Sequence, residues 1–184
     1  MDKKIPHFKY HPDPIKTGGF ETDKVVVCAC CGRETDIYAY YSNVCPDCIH
    51  NGTAYDKFGD EINDIPSWIR DDNIGIVDES KIEELMQRTP GYICWQHQVW
   101  PVHCNDFCAY MGEVHTGDLK RMRIYTKIKN YLREEGAFDE GDYGNEKRSK
   151  DPKGYAESIL TGGCERYLFR CLHCGKYLLH YDYD

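Results

Sequence analysis

Hydrophobic residues fall in two rhythms along this chain. In "KVVVC" and "ETDIYAYYS" β-branched and aromatic residues crowd together, which predicts a strand, a tight turn over Cys28–Gly32 and a returning strand. The plan recurs at the far end, where "RYLFRCLHCGKYLLHYDYD" reads as strand, Cys-x-x-Cys-Gly, strand. The copies stand about 140 residues apart, so this is a repeated local motif and not a repeat array.

Between them the spacing turns helical. "DESKIEELMQRTPGY" sets Ile82, Leu85 and Met86 on one face, with Asp78 or Ser80 as N-cap and Pro90-Gly91 as the stop. "YICWQHQVWPVHCNDFCAYMG" carries many large apolar groups and predicts a helix that Pro101 kinks or restarts. Its Trp95, Val99, Trp100 and Tyr110 read as core. "DLKRMRIYTKIKNYLREEG" predicts one amphipathic helix from an Asp118 N-cap, with Leu119, Met122, Tyr125, Ile128 and Leu132 as the apolar stripe and Gly136 as the stop. Pro6, Pro12, Pro14 and Gly18-Gly19 make residues 1–24 a turn-rich arm, and "FDEGDYGNEKRSKDPKG" reads as a surface loop.

These elements predict an α+β fold: two zinc-knuckle β-hairpins, zinc-ribbon-like, around a helical middle. A single domain over 1–184 divides into an arm and zinc ribbon (1–55), an acidic segment (56–84), a helical region (85–136), a loop (137–162) and a C-terminal knuckle hairpin (163–184).

Composition narrows the class. With 41% hydrophobic and 13% aromatic residues in 184, the chain is globular. It has no apolar run long enough to span a membrane, and "MDKKIPHFKYHPDP" lacks the apolar region of a signal peptide, so a reducing cytoplasmic location is expected. Eleven cysteines are unusual there, and six form Cys-x-x-Cys pairs at Cys28/Cys31, Cys45/Cys48 and Cys171/Cys174. In that setting such pairs are metal ligands or redox dithiols.

A zinc knuckle takes two thiolates from one tight turn and places a glycine after the second. "CACCG" fits with Cys28, Cys31 and Gly32 and leaves Cys30 as a passenger; Cys45 and Cys48 close the site. The redox alternative needs a cysteine at a helix N-terminus in a βαβ setting. Nothing around Cys28 shows that, and "CPDC" before a short helix at Ile49–Phe58 is the better redox candidate, although its neighbouring Cys-x-x-Cys pair explains it more simply as metal ligands. "CLHCG" starts a second site with Cys171 and Cys174. Cys104 and Cys108, four apart on the expected helix, supply its other ligands, and His103 could replace one thiolate to give a site of three cysteines and one histidine. Cys94 and Cys164 read as small hydrophobes, and His180 as a hydrogen-bonded structural histidine.

"PHFKYHPDPIKTGGF", "CCG", "CPDCI", "RTPGYICWQHQVWPVHCNDFCAYMG" and "YLFRCLHCGKYLLHYD" together resemble the CbrC-like family of small bacterial proteins. That family is linked by name to colicin tolerance and has no established biochemical activity. The resemblance runs over nearly the whole chain, is weakest at 56–80 and 116–162, and points to the same eight cysteines. It implies a bacterial cytoplasmic protein and supplies no catalytic residue.

Three function classes follow. A net charge of −8 and ten Asp/Glu between Asp56 and Glu84 suit a zinc-stabilised module that binds a basic protein partner, such as a toxin-tolerance or immunity-type factor. The bland reading of that acidic run is a solvated face. A nucleic-acid binder would use Lys120, Arg121, Arg123, Lys127, Lys129 and Arg133, with Tyr125 and Tyr131 for stacking, against the overall charge. A zinc hydrolase would need an open second site at Cys104, Cys171 and Cys174 with His103 or Asp106 as acid/base, and no catalytic motif supports it.

Overall fold

The computed structural model describes residues 5–40, 42–59, 65–138 and 141–183. Residues 1–4, 41, 60–64, 139–140 and 184, which belong to the expected arm, returning strand, acidic segment, loop and last strand, lie outside the described residues. In chain order the described elements begin with β1 (Phe20–Glu21), β2 (Val26–Val27), β3 (Glu34–Thr35), β4 (Tyr38–Ala39), α1 (Pro46–His50), α2 (Thr53–Phe58), α3 (Trp68–Asn73) and α4 (Glu79–Arg88). They continue with β5 (Val102–His103), β6 (Asp106–Phe107), β7 (Ala109–Glu113), α5 (Thr116–Arg121), α6 (Tyr125–Glu134), α7 (Gly141–Lys150), α8 (Pro152–Thr161), β8 (Glu165–Arg170) and β9 (Tyr177–Asp182). The fold is mixed α and β, built on small antiparallel hairpins. Among the described residues no helix is long and apolar enough to cross a membrane.

The sheet β7-β8-β9 organises the larger core. Its central strand β8 is buried on both faces, so its sequence shows an apolar run rather than clean alternation. Tyr167 and Phe169 share one face, where the ring of Tyr92 lies 5.6 Å and 5.9 Å from theirs and stacks on Tyr110 at 4.1 Å. On the other face Arg166 donates to the Ile159 carbonyl of α8, and α6 packs beside α8 and against β9. A smaller core gathers Phe8, Phe20, Ile37, Val44 and Ile49 around Cys28, Cys45 and Cys48. The N-terminal arm serves both: Phe8 enters the smaller core and Tyr10 the larger.

Helix α4 matches its pattern, burying Ile82, Leu85 and Met86 after an Asp78 N-cap. The neighbouring expectations need correction. Residues 92–112 are not helical: the Tyr92 hydroxyl both donates to the Val99 carbonyl and accepts from its N–H, at 2.9 Å each, bending the chain into a loop before the strands β5–β7. Apolar richness alone does not separate strand from helix. The single helix from Asp118 is two, because Arg123 turns the backbone to φ 60°. Asp118 sits inside α5, where its carboxylate accepts the His115 N–H at 2.8 Å. The expected loop 137–162 contains α7 and α8. Pro152 opens α8 behind Asp151, which accepts the Gly154 N–H at 3.0 Å, and Tyr155, Ala156, Ile159 and Leu160 go into the core. The acidic segment is helical in α2, α3 and the start of α4, with Asp56, Asp71, Asp72, Asp78, Glu79 and Glu83 exposed.

Candidate metal centres

The first cluster grows from the β2–β3 hairpin. Cys28 N–H donates to the Arg33 carbonyl at 2.8 Å and Gly32 N–H to the Cys28 carbonyl at 2.9 Å, with Gly32 at φ 74°. That left-handed residue turns the chain so that Cys28 and Cys31 share one side. Cys45 arrives as N-cap of α1 and Cys48 in its first turn, after Pro46. The sulfurs of Cys28, Cys31, Cys45 and Cys48 lie within 4.8 Å of one another, and Cys31 to Cys45 is 3.9 Å. A tetrahedral ion with metal–sulfur bonds of about 2.3 Å would hold its sulfurs roughly 3.8 Å apart. The donor set fits such an ion.

Cys28, Cys45 and Cys48 are buried and Cys31 is exposed. Arg33 donates to the Cys31 sulfur at 3.4 Å and pairs with Asp47 at 3.2 Å, and its guanidinium holds the Cys31 thiol down at about 6. Burial pushes Cys45 and Cys48 up. A bound cation would reverse that balance by stabilising the thiolates in place. Cys30 stays outside the quartet, partly buried, while Lys57 binds its carbonyl and that of Ala29 at 3.0 Å each.

The second cluster starts from the β8–β9 turn, which repeats the first. Cys171 N–H donates to the Lys176 carbonyl at 2.8 Å, Gly175 N–H to the Cys171 carbonyl at 3.1 Å, and Gly175 has φ 72°. Facing it is the β5–β6 hairpin, whose turn residues Cys104 and Asn105 both adopt positive φ, 56° and 57°, the signature of a tight I′ turn. The donor atoms of His103, Cys104, Cys171 and Cys174 lie within 4.8 Å of one another. His103 Nδ1 is 3.2 Å from the Cys104 sulfur and 3.5 Å from that of Cys174. Tetrahedral nitrogen and sulfur donors would stand roughly 3.6 Å apart, so this set also fits a metal ion. Burial works upward on the Cys171 thiol, but the N–H groups of Cys174 and His173 outweigh it and bring it to about 6. Partial desolvation and the neighbouring thiols push Cys104 up to about 11.

The structure brings together seven of the eight expected cysteines and leaves out Cys108. A spacing of four puts Cys104 and Cys108 on one face only in a helix; here Cys104 occupies the hairpin turn and Cys108 follows β6 into the larger core, fully buried. Its backbone N–H bonds the Pro101 carbonyl at 2.8 Å. His103 stands where the fourth thiolate was expected. The signal available was "CN" as a positive-φ turn, since asparagine tolerates that region.

Asp106 plays a larger part than its sequence position suggests. It is 2% exposed, accepting Tyr10 Oη at 2.7 Å and Phe107 N–H at 2.9 Å on one oxygen, with Lys9 Nζ and His173 Nε2 at 3.0 Å each on the other. Burial would raise its carboxyl, but the bonds from Tyr10, Lys9 and His173 keep it below the usual range. One carboxylate thus ties the arm, the β5–β6 hairpin and the C-terminal turn, positioning both halves of the second cluster. His180 is structural, with Nδ1 3.0 Å from the Phe138 carbonyl and Nε2 3.0 Å from Asp182.

A family model described as "Uncharacterised protein family (UPF0167)" matches residues 5–183. A UPF0167 protein of Mycobacterium bovis is 32% identical, with 98% of this chain and 95% of that protein covered. One of Pseudomonas aeruginosa is 29% identical, with 100% of this chain and 99% of that protein covered. No solved structure matches.

Proposed function

The chain belongs to the uncharacterised UPF0167 family, and from that premise we propose that it is a zinc-stabilised cytoplasmic module that binds a basic protein. The observation that carries the reading is the pair of four-donor clusters, each closed by a Cys-x-x-Cys-Gly turn. Thiolates with at most one imidazole suit tetrahedral zinc, and eleven free thiols suit a reducing compartment. The knuckles then act as zinc-ribbon staples. Four protein donors at each centre leave no open position for a substrate, which argues against a hydrolase.

Charge supports a basic protein over a nucleic acid. The formal −8 becomes about −11 with both zincs bound, since a site of four thiolates adds two negative charges and a site of three thiolates and one imidazole adds one. Six exposed carboxylates lie on α2, α3 and α4 and the turn before α4. Helices α2 and α4 pack against α1 of the first cluster, and among the described residues only Glu79, with Arg70, and Asp78, with Lys81, of the six sit in ion pairs within the segment. The finer resemblance to CbrC-like proteins fits a basic toxin as partner, in a tolerance or immunity role.

The test is metal analysis of untagged protein followed by binding titrations against basic proteins and against single- and double-stranded oligonucleotides. Two zincs per chain and salt-sensitive binding to a basic protein are expected. Fewer than two zincs, or tighter binding to oligonucleotides at low salt, would sink the reading.

A further inference from the structure

The two clusters differ in what solvent can reach. In the first, Cys28, Cys45 and Cys48 are buried and Cys31 alone is exposed, so no two exposed thiols meet. In the second, Cys104 and Cys174 are both exposed, their sulfurs lie within 4.8 Å, and the His103 ring bridges them. Cys104 sits in a two-residue turn, and Cys174 just before Gly175 in the opposing turn. Closing a sulfur–sulfur bond therefore asks for side-chain rotation at two exposed turns rather than for opening of a core. Cys171, the third thiol, is buried.

We propose that Cys104 and Cys174 form an oxidisable pair that peroxide converts to a disulfide, emptying the second cluster while the first keeps its ion. One thiolate attacks a peroxide oxygen, the O–O bond breaks, and the displaced hydroxide leaves as water with a thiol proton. The second thiol attacks the resulting sulfenic sulfur, a sulfur–sulfur bond forms, and a second water departs. Two thiols and one hydrogen peroxide give one disulfide and two waters, with two electrons passing from sulfur to oxygen. The disulfide removes two of four donors, and His103 with Cys171 cannot retain the ion. The metal half of this inference rests on the proposed function; the thiol half does not.

The experiment treats the full chain with hydrogen peroxide, reads zinc release with a chromogenic chelator, blocks remaining thiols and maps disulfides by peptide mass spectrometry. The expected result is one zinc of two released, a Cys104–Cys174 link, and recovery with dithiothreitol plus zinc. Both Cys104→Ser and Cys174→Ser should abolish the link, so the inference does not depend on one variant folding. Disulfides appearing first among Cys28, Cys31, Cys45 and Cys48, or equal loss of both zincs, would overturn it. If the second cluster carries no zinc before oxidation and the link still forms, the thiol pair stands and the metal reading falls.

Discussion

Gly19 and Gly32 are both glycines for reasons that a substitution would separate. A Cβ on Gly19 would meet His11 Cε1 at 2.7 Å and both the Gly91 carbonyl and Pro14 Cβ at 3.0 Å. Gly19→Ala should therefore cost about 1–3 kcal/mol in a urea melt, the usual scale of overpacking. At Gly32 a Cβ meets nothing within 4 Å, but φ is 74°. There Gly32→Ala should cost about 1–2 kcal/mol from the backbone alone. His11, beside Gly19, sets a pH dependence. Its Nδ1–H donates to the Pro90 carbonyl at 2.9 Å, its Nε2 faces the Thr17 hydroxyl at 2.6 Å, and burial pushes its pKa down to about 4 from 6.5. Below pH 6.5 the unfolded chain binds a proton that the folded chain refuses, so stability is full above 6.5 and falls as pH drops toward 4. Between pH 7 and pH 5 the loss should reach about 2 kcal/mol. His11→Gln should lack that component, and matching urea melts of the two proteins at each pH would check it.

At the scale of elements, caps and turns decide where the pattern is interrupted. Asp151→Ala should cost about 1 kcal/mol by leaving the Gly154 N–H without its acceptor, read as a lower melting midpoint. Arg123 holds φ 60° between α5 and α6, a strained conformation for a side-chain-bearing residue. Arg123→Gly should raise stability by about 1 kcal/mol; a loss would mean the arginine side chain matters more than its backbone. The two Cys-x-x-Cys-Gly turns and α4 were legible because their signals are local. The α8 start was hidden because Asp-Pro-Lys-Gly reads equally as a turn, and only the burial of Tyr155 and Ile159 distinguishes the two. The β5–β6 hairpin was hidden because strands of two residues are too short to show a period.

Across the whole molecule the two donor clusters should matter unequally. Three first-cluster cysteines are members of the smaller core, whereas the larger core has a sheet and α6 and α8 to stand on. Cys45→Ser/Cys48→Ser should unfold the smaller core, seen as loss of amide-exchange protection in β2, β3, α1 and α2, with β7–β9 and the Tyr10 segment bonded to β7 still protected. Cys171→Ser/Cys174→Ser should drop the zinc count from two to one and leave protection in both cores. The arm carries any coupling, because Phe8 and Tyr10 enter different cores and Tyr10 reaches Asp106 beside the second cluster.

What the sequence alone determined was chemical and local: the Cys-x-x-Cys-Gly turns, the completion of the first quartet by Cys45 and Cys48, and the exclusion of Cys30. These follow because ligands within one or two short segments are constrained by turn geometry. The second quartet was decided by tertiary structure. Its halves lie 67 residues apart, from Cys104 to Cys171, and meet through strand pairing and one buried carboxylate. Spacing cannot report which side of a short hairpin faces a distant turn. That orientation sends Cys108 into the core and brings His103 to the donor set.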